Sequence, residues 1–229
     1  MAPKILVVLT SHSKLGDTGK PTGWYLPELA HPYDVFLEHG ASVTVASPAG
    51  GEAPLDPASV EAFAQDASSQ TFLKEKQSVW KQTAPVSQFL GRAGEFDALF
   101  YPGGHGPMFD LAKDPQSLQL AAEFAEAGKV VAAVCHGPAA LANVKTKNGK
   151  YLLEGKEVTG FSNTEEDQAQ MTKFMPFLLE TRLNEVGAKY VKAAEPWGEK
   201  VVVAGKVITG QNPASAKKIG EEIIKAVAA

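Results

Sequence analysis

A single cysteine occurs in the 229-residue chain, Cys135. It follows the continuous apolar run Val130-Val131-Ala132-Ala133-Val134 and opens the segment Cys135-His136-Gly137-Pro138. A five-residue apolar run without alternation is the pattern of a strand covered on both faces. Such a strand entering a helix with almost no loop forces a tight turn, the geometry of a nucleophile elbow, with the side chain standing above the sheet. Gly137 permits close backbone approach there, and Pro138 is preorganised for a first helical turn. A thiol at a helix N-terminus is favoured as thiolate, with a pKa of roughly 3.5–7.5. A lone cysteine is by default a small buried hydrophobe. The elbow and the adjacent imidazole of His136 turn the reading toward a nucleophile.

Two further strand ends carry unusual residues. Pro102-Gly103-Gly104-His105-Gly106-Pro107 follows the apolar stretch ending at Tyr101. Adjacent glycines after a strand can turn backbone N–H groups inward as a nest for an anion. The spacing is not that of a dinucleotide loop, Pro107 lacks a donor, and no Lys-Ser/Thr pair follows for a nucleoside triphosphate. An oxyanion hole built from Gly103 and Gly104, with His105 at the substrate, fits the residues better. In the third region, Gly23 to Pro32, Glu28 lies in the first turn of a helix. That position usually serves the helix dipole, but Trp24 and Tyr25 precede it without periodicity and read as a pocket wall. His12, His31, His39 and His105 show no metal-ligand spacing, so neither a metal nor a cofactor is expected.

The elements that must position these residues alternate. Strands are expected over Ile5–Leu9, Val43–Ala46, Phe96–Tyr101, Val130–Val134, Val201–Val203 and Val207-Ile208. Helices are expected over Leu29–Glu38, from Asp56-Pro57, and over Pro115–Ala127, Phe177–Glu185 and Pro213–Ala228. This rhythm predicts an α/β fold with a mostly parallel sheet and helices on both faces. Ligands in such sheets bind beyond the carboxyl ends of the strands, where all three segments fall. No repeat, low-complexity tract or linker divides the chain, which reads as one domain over residues 1–229.

Bulk composition limits the partners. Apolar residues make up 44% and charged residues 21%, with a net charge of -4. The charges are interspersed, so no basic stripe is present to hold nucleic acid. The opening apolar run is too short to cross a membrane and lacks a signal-peptide cleavage pattern. One cysteine cannot form an internal disulfide. These features lead to an expectation of the cytoplasm, with access to the nucleus left open.

The elbow Val134-Cys135-His136-Gly137, the Gly103-Gly104-His105-Gly106 turn and Glu28 with His31-Pro32 together resemble the ThiJ/PfpI superfamily, in its heat-shock-protein-31-like branch. Thr159-Gly160-Phe161 and Thr209-Gly210-Gln211-Asn212-Pro213-Ala214-Ser215 extend the resemblance over essentially the whole chain. It implies a flavodoxin-like fold, related to the class I glutamine amidotransferases, with small cap insertions, and a homodimer. It also implies glutathione-independent glyoxalase activity (glyoxalase III, or D-lactate dehydratase) on methylglyoxal, with chaperone and deglycase activities. Cys135 becomes the nucleophile, His136 its partner and Glu28 the acid beside the thiol, with Phe161 at the substrate. The family also places a carboxylate behind the histidine, after Gly160-Phe161. Glu165, Glu166 and Asp167 compete for that role, and alignment favours Glu166. The same acids read equally well as a solvated helix N-terminus.

Other classes stay open on these residues. A Cys-His-acid set can serve an amidase or peptidase. A stress holdase would bind unfolded client proteins without using the thiol. An oxidisable thiol could sense peroxide, although no resolving cysteine is present.

Overall fold

The computed structural model describes residues 2–229. Its framework is a seven-stranded sheet, with a separate two-stranded sheet beside it. In chain order the elements are β1 (Lys4–Val8), α1 (Leu26–Glu38), β2 (Ser42–Ser47), α2 (Pro57–Ala62), α3 (Ala67–Glu75), α4 (Gln77–Lys81), β3 (Ala84–Pro85) and β4 (Ala98–Tyr101). They continue with α5 (Pro115–Glu126), β5 (Val130–Val134), α6 (Ala139–Ala142), β6 (Glu157–Val158), α7 (Asn163–Gln168), α8 (Leu179–Glu185), β7 (Lys189–Tyr190), β8 (Val201–Ala204), β9 (Val207–Gly210) and α9 (Ala216–Ala228). The main sheet runs β3-β2-β1-β4-β5-β9-β8; all pairs are parallel except β8–β9, an antiparallel edge. The expected mostly parallel sheet with helices on both faces is therefore present. No helix among the described residues is long and apolar enough to cross a membrane.

The inner strands are apolar throughout because both faces are covered: Ile5 to Val8, Leu99 to Tyr101 and Val130 to Val134 are all buried. Pairing then sets the site. Tyr101 lies opposite Ala133 and Val134 opposite Gly210. Two and three residues beyond Tyr101 come Gly103 and Gly104, while two beyond Ala133 comes Cys135, so neighbouring strands deliver the glycines and the thiol side by side. The loop after β1 returns through Trp24-Tyr25 to α1, which begins at Leu26 with Pro27 in its first turn.

Several boundaries differ from the sequence reading. α1 starts three residues early. The last helix starts at Ala216, because Pro213–Ser215 form a tighter 3₁₀ turn. α3 and α4 were not anticipated. α3 is capped by the Asp66 carboxylate on Ser69 N–H, and it buries only Ser69 and Phe72, so its apolar stripe is faint in sequence. The helix after the elbow is only four residues long and begins at Ala139, with residues 135–138 in turns.

Candidate active site

Cys135 has φ 61°. This left-handed conformation is costly for a side chain with a Cβ and is held by its surroundings. Its N–H donates to Gly210 O (2.9 Å), and its carbonyl accepts from Phe161 N–H (2.8 Å). The elbow thus exists, but the four-residue α6 supplies little dipole, because the macrodipole needs aligned turns. Sequence reasoning expected a preformed thiolate, and the structure corrects this. Burial first, and then the negative charge of Glu28, push the Cys135 thiol well above its ordinary value. At neutral pH Cys135 is a thiol.

An imidazole and a carboxylate lie close to it. His136 Nδ1 lies 3.4 Å from Cys135 Sγ, and His136 Nε2 lies 2.6 Å from Glu166 Oε2. Burial would raise the Glu166 carboxyl, but His136 and His105 outweigh it and hold the group well below the usual carboxylate range. Burial also lowers the His136 pKa despite the Glu166 charge. An ionised carboxylate only accepts, so His136 carries its proton on Nε2 and leaves the Nδ1 lone pair facing the thiol. That is the arrangement of a neutral general base. Glu166 also accepts from His105 Nε2 through Oε1 at 2.8 Å. The two imidazole rings sit 4.3 Å apart, and Phe161 packs on His136 at 4.4 Å.

The three neighbouring acids are separated by their partners. Ser162 caps α7 by accepting from Glu165 N–H, and the Glu165 carboxylate accepts from Ser162 N–H and Oγ–H in return. This capping box turns Glu165 back toward the helix start. Asp167 accepts from the Thr172 hydroxyl. Only Glu166 reaches the histidines.

Glu28 is fully buried at the start of α1 and faces the Cys135 thiol. Its Oε2 accepts from Gly103 N–H at 2.8 Å, while Oε1 has no aligned partner. Burial is the dominant influence and pushes its pKa up to about 8, so the carboxyl holds a proton at neutral pH.

The glycine turn divides its donors. Gly103 was expected to donate to an oxyanion, but its N–H is committed to Glu28. Gly104 N–H lies near the Cys135 sulfur and favours the thiolate, but burial outweighs it. Gly104 has φ 88°, and a Cβ there would meet Gly23 O at 2.2 Å and Tyr25 N at 2.9 Å. Gly104→Ala will therefore lower stability by at least ~2 kcal/mol in urea unfolding and cut turnover more than tenfold. Unchanged stability would show that this turn is not constrained.

Trp24 is also corrected. Its ring is wholly buried, edge-on to Phe72 (6.3 Å) and near Trp80 (5.7 Å), with Nε1–H donating to Ala53 O. It belongs to the core. The adjacent Tyr25 is half-buried, and its hydroxyl is raised by burial and by the nearby Glu28 and Cys135; it is the aromatic residue beside the thiol. Among the described residues, His105, His136 and Glu166 form the one group compact enough to hold a metal ion, with ligand atoms within 4.8 Å of one another. Those atoms are already engaged in the His-Glu-His hydrogen bonds, and the geometry fits a proton relay.

A parallel α/β sheet with a thiol on a strand-end elbow, backed by an imidazole and a carboxylate, defines a class of cysteine-centred proteins. A family model described as the DJ-1/PfpI family matches residues 23–226, and the chain belongs to that family. It is similar to "Glyoxalase 3" of Candida albicans, at 31% identity over 97% of this chain and 98% of the relative. It is likewise similar to "Glutathione-independent glyoxalase HSP31" of Saccharomyces cerevisiae, at 32% identity over 99% of each. Among solved structures, glyoxalase III from Candida albicans superposes with a TM-score of 0.84 at 30% identity, covering 98% of this chain and 97% of its own. The Rapid Encystment Protein 24 kDa of Francisella tularensis gives 0.90 at 36% identity, covering 98% and 99%.

Proposed function

We propose that this chain is a glutathione-independent glyoxalase that converts α-ketoaldehydes, methylglyoxal among them, into 2-hydroxy acids, with D-lactate as the product of methylglyoxal. The observation that carries this reading is a fully buried, protonated Glu28 set against the Cys135 thiol. A protonated carboxyl beside the thiol can give its proton to the oxygen of an aldehyde whose carbon the sulfur attacks. The similarity to proteins named as glyoxalases supports the same assignment.

The groups balance through a full cycle. Cys135 Sγ bonds to the aldehyde carbon C1; its proton passes to His136 Nδ1, and Glu28 protonates the new alkoxide beside Gly104 and His136 N–H. The result is a hemithioacetal, an imidazolium stabilised by Glu166, and a Glu28 carboxylate. Glu28 then removes the C1 hydrogen as a proton, the electron pair moves toward C2, and the C2 oxygen takes the proton from His136. This gives an enediol and restores neutral His136 and protonated Glu28. Glu28 delivers its proton to C2 while the C1 hydroxyl proton returns to His136, giving a thioester. Water attacks the thioester, giving one proton to Glu28; the C1–S bond breaks, and sulfur recovers its proton from His136. C1 is oxidised and C2 reduced within one molecule, so no external electron carrier enters the balance. Glutathione, which could present a thiol to the aldehyde, is replaced by Cys135.

The burial of the site favours a small substrate over a peptide. Cys135 is 3% exposed and His136 1%, so a three-carbon aldehyde reaches the sulfur more easily than a chain segment. The test is lactate release from methylglyoxal by the thiol-free-buffered protein, followed with enantiomer-specific lactate dehydrogenases. Stoichiometric D-lactate is expected. Methylglyoxal loss without any lactate would sink the reading.

A further inference from the structure

Glu165 lies outside the chemistry described above, yet its carboxylate is wholly buried and collects five donors. Oε2 accepts from Ser162 N–H (2.9 Å) and Oγ–H (2.7 Å). Oε1 accepts from Trp197 N–H (2.9 Å), Gln211 Nε2–H (3.0 Å) and Asn212 Nδ2–H (2.9 Å). One side chain thus joins the start of α7, the segment leaving β9, and the loop carrying Trp197. Trp197 is unusual in turn. It has φ 65°, a strained conformation for a bulky residue, and its ring is about half exposed. The ring meets Phe161 edge-on at 5.5 Å, and its Nε1–H donates to Gln168 Oε1 at 2.6 Å. Phe161 lies between Trp197 and the His136 imidazole.

We propose that Glu165 is a positioning residue that latches Trp197 over Phe161 and so clamps the His136 imidazole in line with the Cys135 thiol. The inference rests on the reading of Cys135 and His136 as the reacting pair. Strain persists only where surrounding bonds over-determine it; the Trp197 N–H ends on Glu165, and Asn212, which donates to the same Glu165 oxygen, also donates to Gly198 O beside Trp197. Apart from this stack, the His136 ring is fixed by its bond to Glu166 and its contact with His105, which orient its edge. The aromatic stack is what restrains its tilt. The same capping box sends Glu165 one way and Glu166 the other, so a single latch serves both the imidazole and its carboxylate.

The test compares Glu165→Gln, Trp197→Gly and Trp197→Phe. Glycine accepts the positive φ but removes the ring; phenylalanine keeps a ring on Phe161. Glutamine cannot accept from both donor sets, because one of its ends carries only N–H. With methylglyoxal, Trp197→Gly should lower kcat by ~10–10²-fold, the scale of a misplaced catalytic group, with KM within about twofold, and Trp197→Phe should recover most of that loss. Glu165→Gln should show the same kcat loss together with increased acrylamide quenching of Trp197, since the other two tryptophans, Trp24 and Trp80, are buried. A second readout does not require turnover: the far-downfield proton NMR signal of His136 Nε2–H, shared with Glu166, should broaden in Trp197→Gly and persist in Trp197→Phe. If methylglyoxal proves not to be a substrate, that signal still decides the clamp. Wild-type kcat and an unchanged imidazole signal in Trp197→Gly would overturn it, as would wild-type kcat in a Glu165→Gln protein whose quenching shows Trp197 released.

Discussion

Cys135→Ala will reduce methylglyoxal turnover by ~10⁴-fold or more, the scale of removing a nucleophile that acts as a unit with its base. No second thiol exists in the chain to take over. His136 and Glu28 would remain in place, but neither can form the hemithioacetal that carries C1 through the proton transfers. Alanine keeps the Cβ and therefore the same cost at φ 61°, so the melting temperature should move by only a few degrees, and a folded, inactive protein is the expected result. Cys135→Ser should be nearly as inactive, because a hydroxyl gives up its proton to neutral His136 far less readily than a thiol. The resting protonation state makes a companion expectation. A thiol held above its ordinary value reacts with iodoacetamide at a rate that keeps climbing through pH 7 to 9, whereas a preformed thiolate would already have reached a plateau. Retention of more than a tenth of the activity in the alanine protein would remove Cys135 from the reaction.

The parts of the site that were legible in sequence are those where a pattern stops abruptly. An apolar run ending in Cys135-His136-Gly137-Pro138 announces a strand end, and Pro102-Gly103-Gly104 does the same beside it; pairing of β4 with β5 then brings them together. What could not be read is how each backbone donor is spent. Gly103 and Gly104 look equivalent in sequence, yet one N–H is bonded to Glu28 and the other is left near the sulfur. Trp24 was misread because an aromatic residue in a loop carries no periodicity to show which way it faces. The thiolate was misread for a similar reason: a strand-to-helix junction is visible, but the four-residue length of the helix is not. The acids after Phe161 were resolvable in part. Ser162-Asn163-Thr164-Glu165 is a capping-box spacing, and reading it would have removed Glu165 from the competition and left Glu166 and Asp167. Glu165 and Trp197 meet across 32 residues, a distance at which local pattern carries no information.

Glu28→Gln separates function from stability most sharply, because the two should move in opposite directions. Turnover should fall by ~10²–10⁴-fold, the usual contribution of a positioned acid/base, since an amide can neither protonate the alkoxide nor remove the C1 hydrogen. Stability should rise. The folded Glu28 holds its proton up to about pH 8, against an ordinary value of 4.5. Below pH 4.5 both folded and unfolded chains are protonated there and the group costs nothing. Between 4.5 and about 8 the unfolded chain releases the proton and the folded chain keeps it, so folding loses stability with each rise in pH. Above 8 the loss is constant. At ~1.4 kcal/mol per pH unit across that interval, the full penalty is on the order of 3–5 kcal/mol. Glutamine fills the same space, can keep the bond from Gly103 N–H and never ionises, so it escapes the penalty. Urea unfolding at pH 5 and pH 8 checks this: the variant should be close to wild type at pH 5 and clearly more stable at pH 8. Parallel stability curves would show that the buried carboxyl is not held protonated, and the acid that receives the aldehyde oxygen would have to be another group. Opposed shifts in rate and stability would show that the destabilising acid buried beside the only thiol is kept for the reaction.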